Sequence, residues 1–384
     1  MKFKLKTNLI QGDGVLLKIN EFIREFNFKK ICFFYDKNLY DNNGYVQEVV
    51  KTFSKDRNFT FFEFDYPFEP SYDYLDNNKS FFGNGKTKKF DCIIAVGGGS
   101  CIDSAKGFAT LATNSGPAIN FRGFPKDLNA SIPVIAAPTT AGTGTELAYN
   151  AVFIDTKEGK KLGINTENNY PVMAILDPSL VVESPKNVIK SSGLDAMVHT
   201  LESFVSLKSN YLTRIFSKQA FRLIINNLEA FYNDSGNINL ASNMQLGAYL
   251  AMAALSNSSA GPSGALSYLI GTRYKINHGI AGAVFIGKVS RYNHKNGYYD
   301  YGELLNDQQY DKNGLEGKNI SEEVVSKIEN LLDALDIPSS LTGVGINKDD
   351  FDELIDFADS NYRGAFDLNP VSFSKEQIGK ILIN

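Results

Sequence analysis

Tryptophan is absent from this 384-residue chain, and histidine and cysteine occur only three times each. Three cysteines in so long a chain cannot build a disulfide framework, which points to a reducing, cytoplasmic setting. Long apolar runs are missing as well. The longest candidates, Tyr249–Leu255 and Ile132–Ala137, fall well short of the ~18–20 residues of a membrane span. The N-terminus MKFKLKTNLIQGDG has no apolar core of a signal peptide. No membrane partner is expected. Basic excess is lacking too: 39 Lys+Arg stand against 43 Asp+Glu, giving a net charge of -4 without a basic block. That argues against nucleic acid, which needs cations gathered on one face. With 43% hydrophobic residues the chain is not disordered.

Such a length favours two domains of roughly 150–200 residues each. Short β-branched or aromatic runs mark the first half: Ile31–Tyr35, Phe59–Phe64, Cys92–Val96, Ile132–Ala137, Ala151–Ile154 and Val172–Leu176. Alternating with helical stretches, they predict an α/β domain with a mostly parallel sheet over residues 1–185. From residue 186 to 384 the periodicity is helical, as in LDAMVHTLESFVSL and SEEVVSKIENLLDAL, and an all-α domain is predicted. Residues 313–318 are read as an exposed loop.

The third run leads straight into Gly97-Gly98-Gly99-Ser100 and a helix. Glycines let the backbone approach a ligand, and the first helical N–H groups suit a pyrophosphate. The same residues also fit a simple turn capped by Ser100, with Asp103 completing a capping box. The segment Pro138–Glu146, rich in Thr and Gly after another strand, sits where α/β proteins bind ligands, or forms a plain solvent loop. Asp36, at the end of the first run, can accept hydrogen bonds from ribose hydroxyls or merely start a turn. Asp195 and His199 are one helical turn apart, a spacing that allows a shared divalent metal or a surface hydrogen bond. His278 lies between apolar helices and reads as a ligand or a core histidine, and His294 reads as an exposed bystander.

Taken in order, these segments resemble the iron-containing (group III) alcohol dehydrogenases of the dehydroquinate synthase-like superfamily. GGGSCIDSAK is similar to GGGSxxDxxK, PTTAGTGTE to the nicotinamide-side loop, and SSGLDAMVHTLESF with NHGIAGAVF to the metal segments. The resemblance implies a dinucleotide-binding α/β domain, an all-helical metal-binding domain and hydride transfer between nicotinamide and a primary alcohol or aldehyde. It assigns the cofactor to Asp36, Gly97, Gly98, Gly99, Ser100, Asp103, Thr139, Thr140 and Thr143. The carboxylate of Asp36 favours NAD(H) over NADP(H). It assigns the metal, Fe²⁺ or Zn²⁺, to Asp195, His199 and His278, the last also catalytic. The fourth family ligand, a histidine, falls on Gly264, and Tyr268 falls where a proton-relaying histidine often sits. The vacancy at Gly264 predicts extra room for a bulkier or more polar substrate, such as a sugar-derived or phosphonate aldehyde. A homodimer is implied. Two alternatives remain: a dehydroquinate synthase-like sugar-phosphate cyclase gripping its substrate with Arg214, Lys218, Arg222 and Arg273, and a metal-free, catalytically impaired nucleotide-binding relative.

Overall fold

The computed structural model describes residues 3–66, 69–305, 311 and 314–383. The chain divides into two compact units, one of Leu5–Thr140 with Gly144–Glu183, the other formed mainly by Ser184–Asn384 with Ala141–Thr143. No helix among the described residues is long and apolar enough to cross a membrane.

The first unit carries strands β1 (Asn8–Gln11), β2 (Ile31–Asp36), β3 (Phe59–Phe64), β4 (Cys92–Gly97), β5 (Val134–Pro138), β6 (Asn150–Asp155), β7 (Lys160–Asn165) and β8 (Met173–Leu176). Its helices are α1 (Ile19–Glu25), α2 (Lys37–Asn42), α3 (Gly44–Phe53), α4 (Tyr72–Asn78) and α5 (Gly99–Leu111). Six strands form a parallel sheet in the order β1-β8-β5-β4-β2-β3, while β6 and β7 form a separate antiparallel hairpin. Every residue of β4 and β5 is buried, which explains their continuous apolar sequences. Phenylalanine does the packing that tryptophan does not. Phe34, Phe62, Phe82 and Phe108 cluster where α5 meets the sheet, with the Phe82 and Phe108 rings stacked 4.4 Å apart.

Two strands escaped the sequence reading. NLIQ of β1 is a largely exposed edge strand, and KKLGIN of β7 is half of a solvent-facing hairpin, so neither shows an apolar run. The run Ala151–Ile154 does form a strand, but in that hairpin and not in the parallel sheet. Because β2 and β4 are neighbours while the chain departs from them in opposite directions, the sheet has its switch point between their carboxyl ends.

The second unit is helical: α6 (Lys186–Val205), α7 (Tyr211–Asn233), α8 (Ile238–Leu255), α9 (Pro262–Tyr274), α10 (His278–Lys295), α11 (Leu315–Ala334), α12 (Phe351–Asn361), α13 (Arg363–Phe366) and α14 (Lys375–Ile383). Helix α6 packs on α7, α8, α9 and α10 and is buried around most of its circumference, as a central helix must be. The loop expected at residues 313–318 is corrected in part: helix α11 already begins at Leu315, and Asn313 lies outside the described residues. His294 is not exposed. Its ring is buried, with Nδ1 2.9 Å from Ser321 Oγ and Nε2 2.9 Å from Glu322, fastening α10 to α11.

A buried lysine ties the first unit together. Lys106 on α5 is wholly enclosed, and its Nζ donates to Thr145 O at 2.5 Å, Thr145 Oγ1 at 2.6 Å, and the carbonyls of Ala148 and Asn150 at 3.1 Å. Asp103 lies 3.6 Å away. Removing one partner from such a network leaves its opposite charge unpaired, so Lys106→Met is expected to cost about 3–5 kcal/mol in urea denaturation.

Candidate nucleotide and metal sites

The carboxyl ends of β2, β4 and β5 bring together residues far apart in sequence. Tyr35 pairs with Val96 and Gly97 with Pro138, and Thr139 N–H donates to Gly97 O at 3.1 Å. Gly97 is required by close approach, since a Cβ there would lie 2.5 Å from Cys101 and 3.3 Å from the Cβ of Asp36. Asp36, Gly97–Ser100 and Thr139–Thr140 thus line the switch point of the sheet, where parallel α/β units bind ligands.

Gly98, not Ser100, is the N-cap of α5, and no side chain caps that end. The first-turn N–H groups remain for an anion. The capping box with Asp103 does not form. Asp103 is instead a scaffold residue: its oxygens accept from Thr145 Oγ1 and, at 2.9 Å, from Val152 N. Asp36 caps α2 through Leu39 N at 3.1 Å, so the turn-residue reading and the ribose reading are compatible. Burial raises its pKa, the helical N–H groups lower it, and the Asp65 charge raises it again. Asp65 follows β3 directly, one position beyond the Asp36–Phe64 pair, and was not singled out from sequence. Thr143 belongs with the helical unit, like Gly142.

In the helical unit, Asp195 is 5% exposed on α6. Its Oδ1 lies 3.6 Å from His199 Nε2 and 3.8 Å from His278 Nε2. These separations are too long for hydrogen bonds. They match the edges of a coordination tetrahedron, about 3.4 Å for donors about 2.1 Å from an ion. His278 reaches Asp195 because α10 begins against α6. Asn277 caps α10 and accepts from the Ser191 hydroxyl, and a Cβ on Gly279 would run into Ser191 O at 1.9 Å. His199 Nδ1 is buried without a hydrogen-bond partner. The donor chemistry therefore fits a divalent ion. Among the described residues, no group of three or more His, Cys, Asp or Glu is drawn close enough to hold a metal ion as it stands. Tyr268 packs its ring 4.7 Å from that of His278, and Ser267 Oγ lies 3.2 and 3.4 Å from the His278 nitrogens.

The room expected over Gly264 is absent. Glu202, missed by the sequence reading, fills it with a buried carboxylate that accepts from Gly261 N at 2.8 Å and Gly264 N at 2.9 Å. Burial pushes its carboxyl pKa up, while those N–H groups and His199 pull it down. Its sequence signal was its place on the face of α6 shared by Asp195 and His199, at i, i+4 and i+7.

A parallel sheet with ligand loops at its switch point, joined to a helical unit bearing an Asp-His-His set, defines a nucleotide-dependent, metal-binding class of protein. The sequence profile of iron-containing alcohol dehydrogenase matches residues 6–178, and that of the Fe-containing alcohol dehydrogenase family, C-terminal, matches residues 189–384. The chain belongs to the iron-containing alcohol dehydrogenase family, and it is an oxidoreductase of alcohols and aldehydes. It is 31% identical over 301 residues to 1,3-propanediol dehydrogenase of Klebsiella pneumoniae, covering 77% of this chain and 76% of that protein. Alcohol dehydrogenase 4 of Saccharomyces cerevisiae is 28% identical over 378 residues, 97% and 94% of the two chains. The solved alcohol dehydrogenase from Oenococcus oeni is 27% identical, with a TM-score of 0.87 over 99% of this chain and 98% of that one.

Family membership disposes of the cyclase alternative, and so does charge. Arg214 is paired with Asp300 at 2.7 Å, and Arg273 is held by both oxygens of Glu353 at 2.7 and 2.8 Å. Neither is left over to grip a sugar phosphate.

Beside the threonine loop, burial pushes the carboxyl of Glu146 up to about 7 against the pull of Lys106. The folded state thus holds that proton more tightly than the unfolded chain. The stability contributed is full below the ordinary value of 4.5 and is lost as pH rises through about 7. Thermal unfolding between pH 5 and 8 is expected to show a shallower loss of stability in Glu146→Gln than in the native protein.

Proposed function

We propose that the protein interconverts a primary alcohol and its aldehyde with NAD(H) and a divalent metal, Fe²⁺ or Zn²⁺. In this reading residues 1–185 serve the nucleotide and residues 186–384 the metal and substrate. The observation that carries it is the buried Asp195 carboxylate facing two imidazole nitrogens at metal-ligand spacing.

The first-turn N–H groups after Gly97, Gly98 and Gly99, with Ser100, bind the pyrophosphate. Asp36 accepts from the ribose hydroxyls, and with Asp65 beside it the site repels a 2′-phosphate, which favours NAD(H). Thr139, Thr140 and Thr143 serve the nicotinamide half. When bound, a dinucleotide would provide hydride chemistry, with the alcohol carbon as its partner. Asp195, His199 and His278 hold the ion. When bound, the ion supplies Lewis-acid polarisation of the substrate oxygen. Tyr268, against His278, passes the hydroxyl proton to water. In the oxidative direction alcohol and NAD⁺ give aldehyde, NADH and one proton, so the reaction balances.

Substrates of the size of 1,3-propanediol or ethanol suit a site in which Glu202 fills the place over Gly264. A sugar-derived or phosphonate aldehyde loses the argument from extra room and stays in the panel as a test. The assembly proposed is a cytoplasmic homodimer, supported by the edge strands β1 and β3, each with one neighbour in the sheet. A second reading, a nucleotide-binding chain without metal chemistry, rests on Gly264 and on donors not drawn close enough to hold an ion as they stand.

Protein purified without chelator is expected to contain a divalent metal and to oxidise NADH with primary aldehydes after Fe²⁺ or Zn²⁺ addition. Asp195→Asn is expected to lose both metal and activity. No metal and no aldehyde turnover in the native protein would establish the second reading. Asp36→Gly is expected to lower the preference for NAD⁺ over NADP⁺ in kcat/KM by about tenfold, the equivalent of ~1.4 kcal/mol.

A further inference from the structure

Ser267 sits one helical turn after Gly264 on α9, buried, with its hydroxyl against the imidazole of His278. A serine hydroxyl has one proton to give and lone pairs to receive with. That proton goes to Gly264 O, 2.7 Å away. Toward the imidazole, Ser267 Oγ therefore acts as an acceptor, and the ring nitrogen that bonds it must carry hydrogen. Nδ1 is the nearer of the two, at 3.2 Å against 3.4 Å for Nε2. Nε2 is also the nitrogen that faces Asp195 Oδ1, 3.8 Å away. A neutral imidazole has one N–H. Placed on Nδ1, it leaves Nε2 with a bare lone pair beside the Asp195 carboxylate, the form in which a histidine binds a metal ion.

Packing holds the hydroxyl in this place. A Cβ on Gly282 of α10 would lie 3.1 Å from Val198 Cγ2 of α6 and 3.7 Å from the Cβ of Ser267, so three helices close on one another here. The Tyr268 ring, 4.7 Å from that of His278, packs against the same imidazole.

We propose that Ser267 is a positioning residue for His278: its hydroxyl accepts from Nδ1–H and so turns a bare Nε2 toward the ion. The service to the ion rests on the metal reading above, whereas the place of the proton belongs to the metal-free protein. The chain has only three histidines, so full-length protein labelled with ¹⁵N-histidine and stripped of metal gives few ring signals. Loss of one set in His278→Asn assigns that ring. With the ring neutral, native His278 is expected to show a protonated Nδ1 and an unprotonated Nε2. A proton on Nε2 overturns the proposal without any variant. Ser267→Ala is expected to move His278 to a mixture of tautomers and to weaken Co²⁺ binding about 10–100-fold. Ser267→Thr, which keeps the hydroxyl, is expected to restore both. Native Co²⁺ affinity in Ser267→Ala overturns the proposal, and if Asp195→Asn still abolishes binding, only the role of Ser267 falls. If the native protein binds no Co²⁺, the metal reading itself falls.

Discussion

A carboxylate taken out of water must find donors or a counter-charge, and α6 encloses two of them, Asp195 and Glu202. Glu202 finds the N-terminus of α9. Asp195 finds no hydrogen bond among its imidazole neighbours, only two nitrogens at a distance suited to a shared cation. Much of the helical unit answers to that constraint. Helix α10 starts where Asn277 and Gly279 press it on Ser191, which puts His278 opposite Asp195, and α9 starts where Glu202 can receive its free N–H groups.

The parallel-sheet unit solves a different problem, which is to present backbone N–H groups and a carboxylate at one switch point. Fully buried strands β4 and β5 fix the register, so that Gly97 and Thr139 meet through a backbone hydrogen bond. The threonine loop that follows is held by Lys106, whose ammonium gathers carbonyls across Thr145–Asn150. A rigid loop of this kind orders its hydroxyls before any ligand arrives, which lowers the entropic cost of binding.

The buried strands were legible in the sequence because burial on both faces demands continuous β-branched or aromatic runs, and the order of motifs identified the family. Strands β1 and β7 were not, since NLIQ and KKLGIN face solvent and carry no such pattern. Lys106 stands at i,i+3 from Asp103, 3.6 Å away. Its main partners lie some forty residues away, and no local spacing reveals them. The loop partners of Asp103 were hidden for the same reason, since its carboxylate accepts from Thr145 and Val152, more than forty residues away. His294 looked exposed among polar neighbours, because its burial depends on Ser321 and Glu322 of another helix.

Gly264 shows most clearly what a sequence position cannot say by itself. Read alone, the replacement of an imidazole by a hydrogen atom subtracts a ligand and adds volume. In the fold the volume goes to Glu202, because a carboxylate tethered by two backbone N–H groups already occupies the path of any side chain from that position. Position 264 thus gives up an imidazole and takes in a buried negative charge. A void at residue 264 therefore gives no basis for a bulkier substrate.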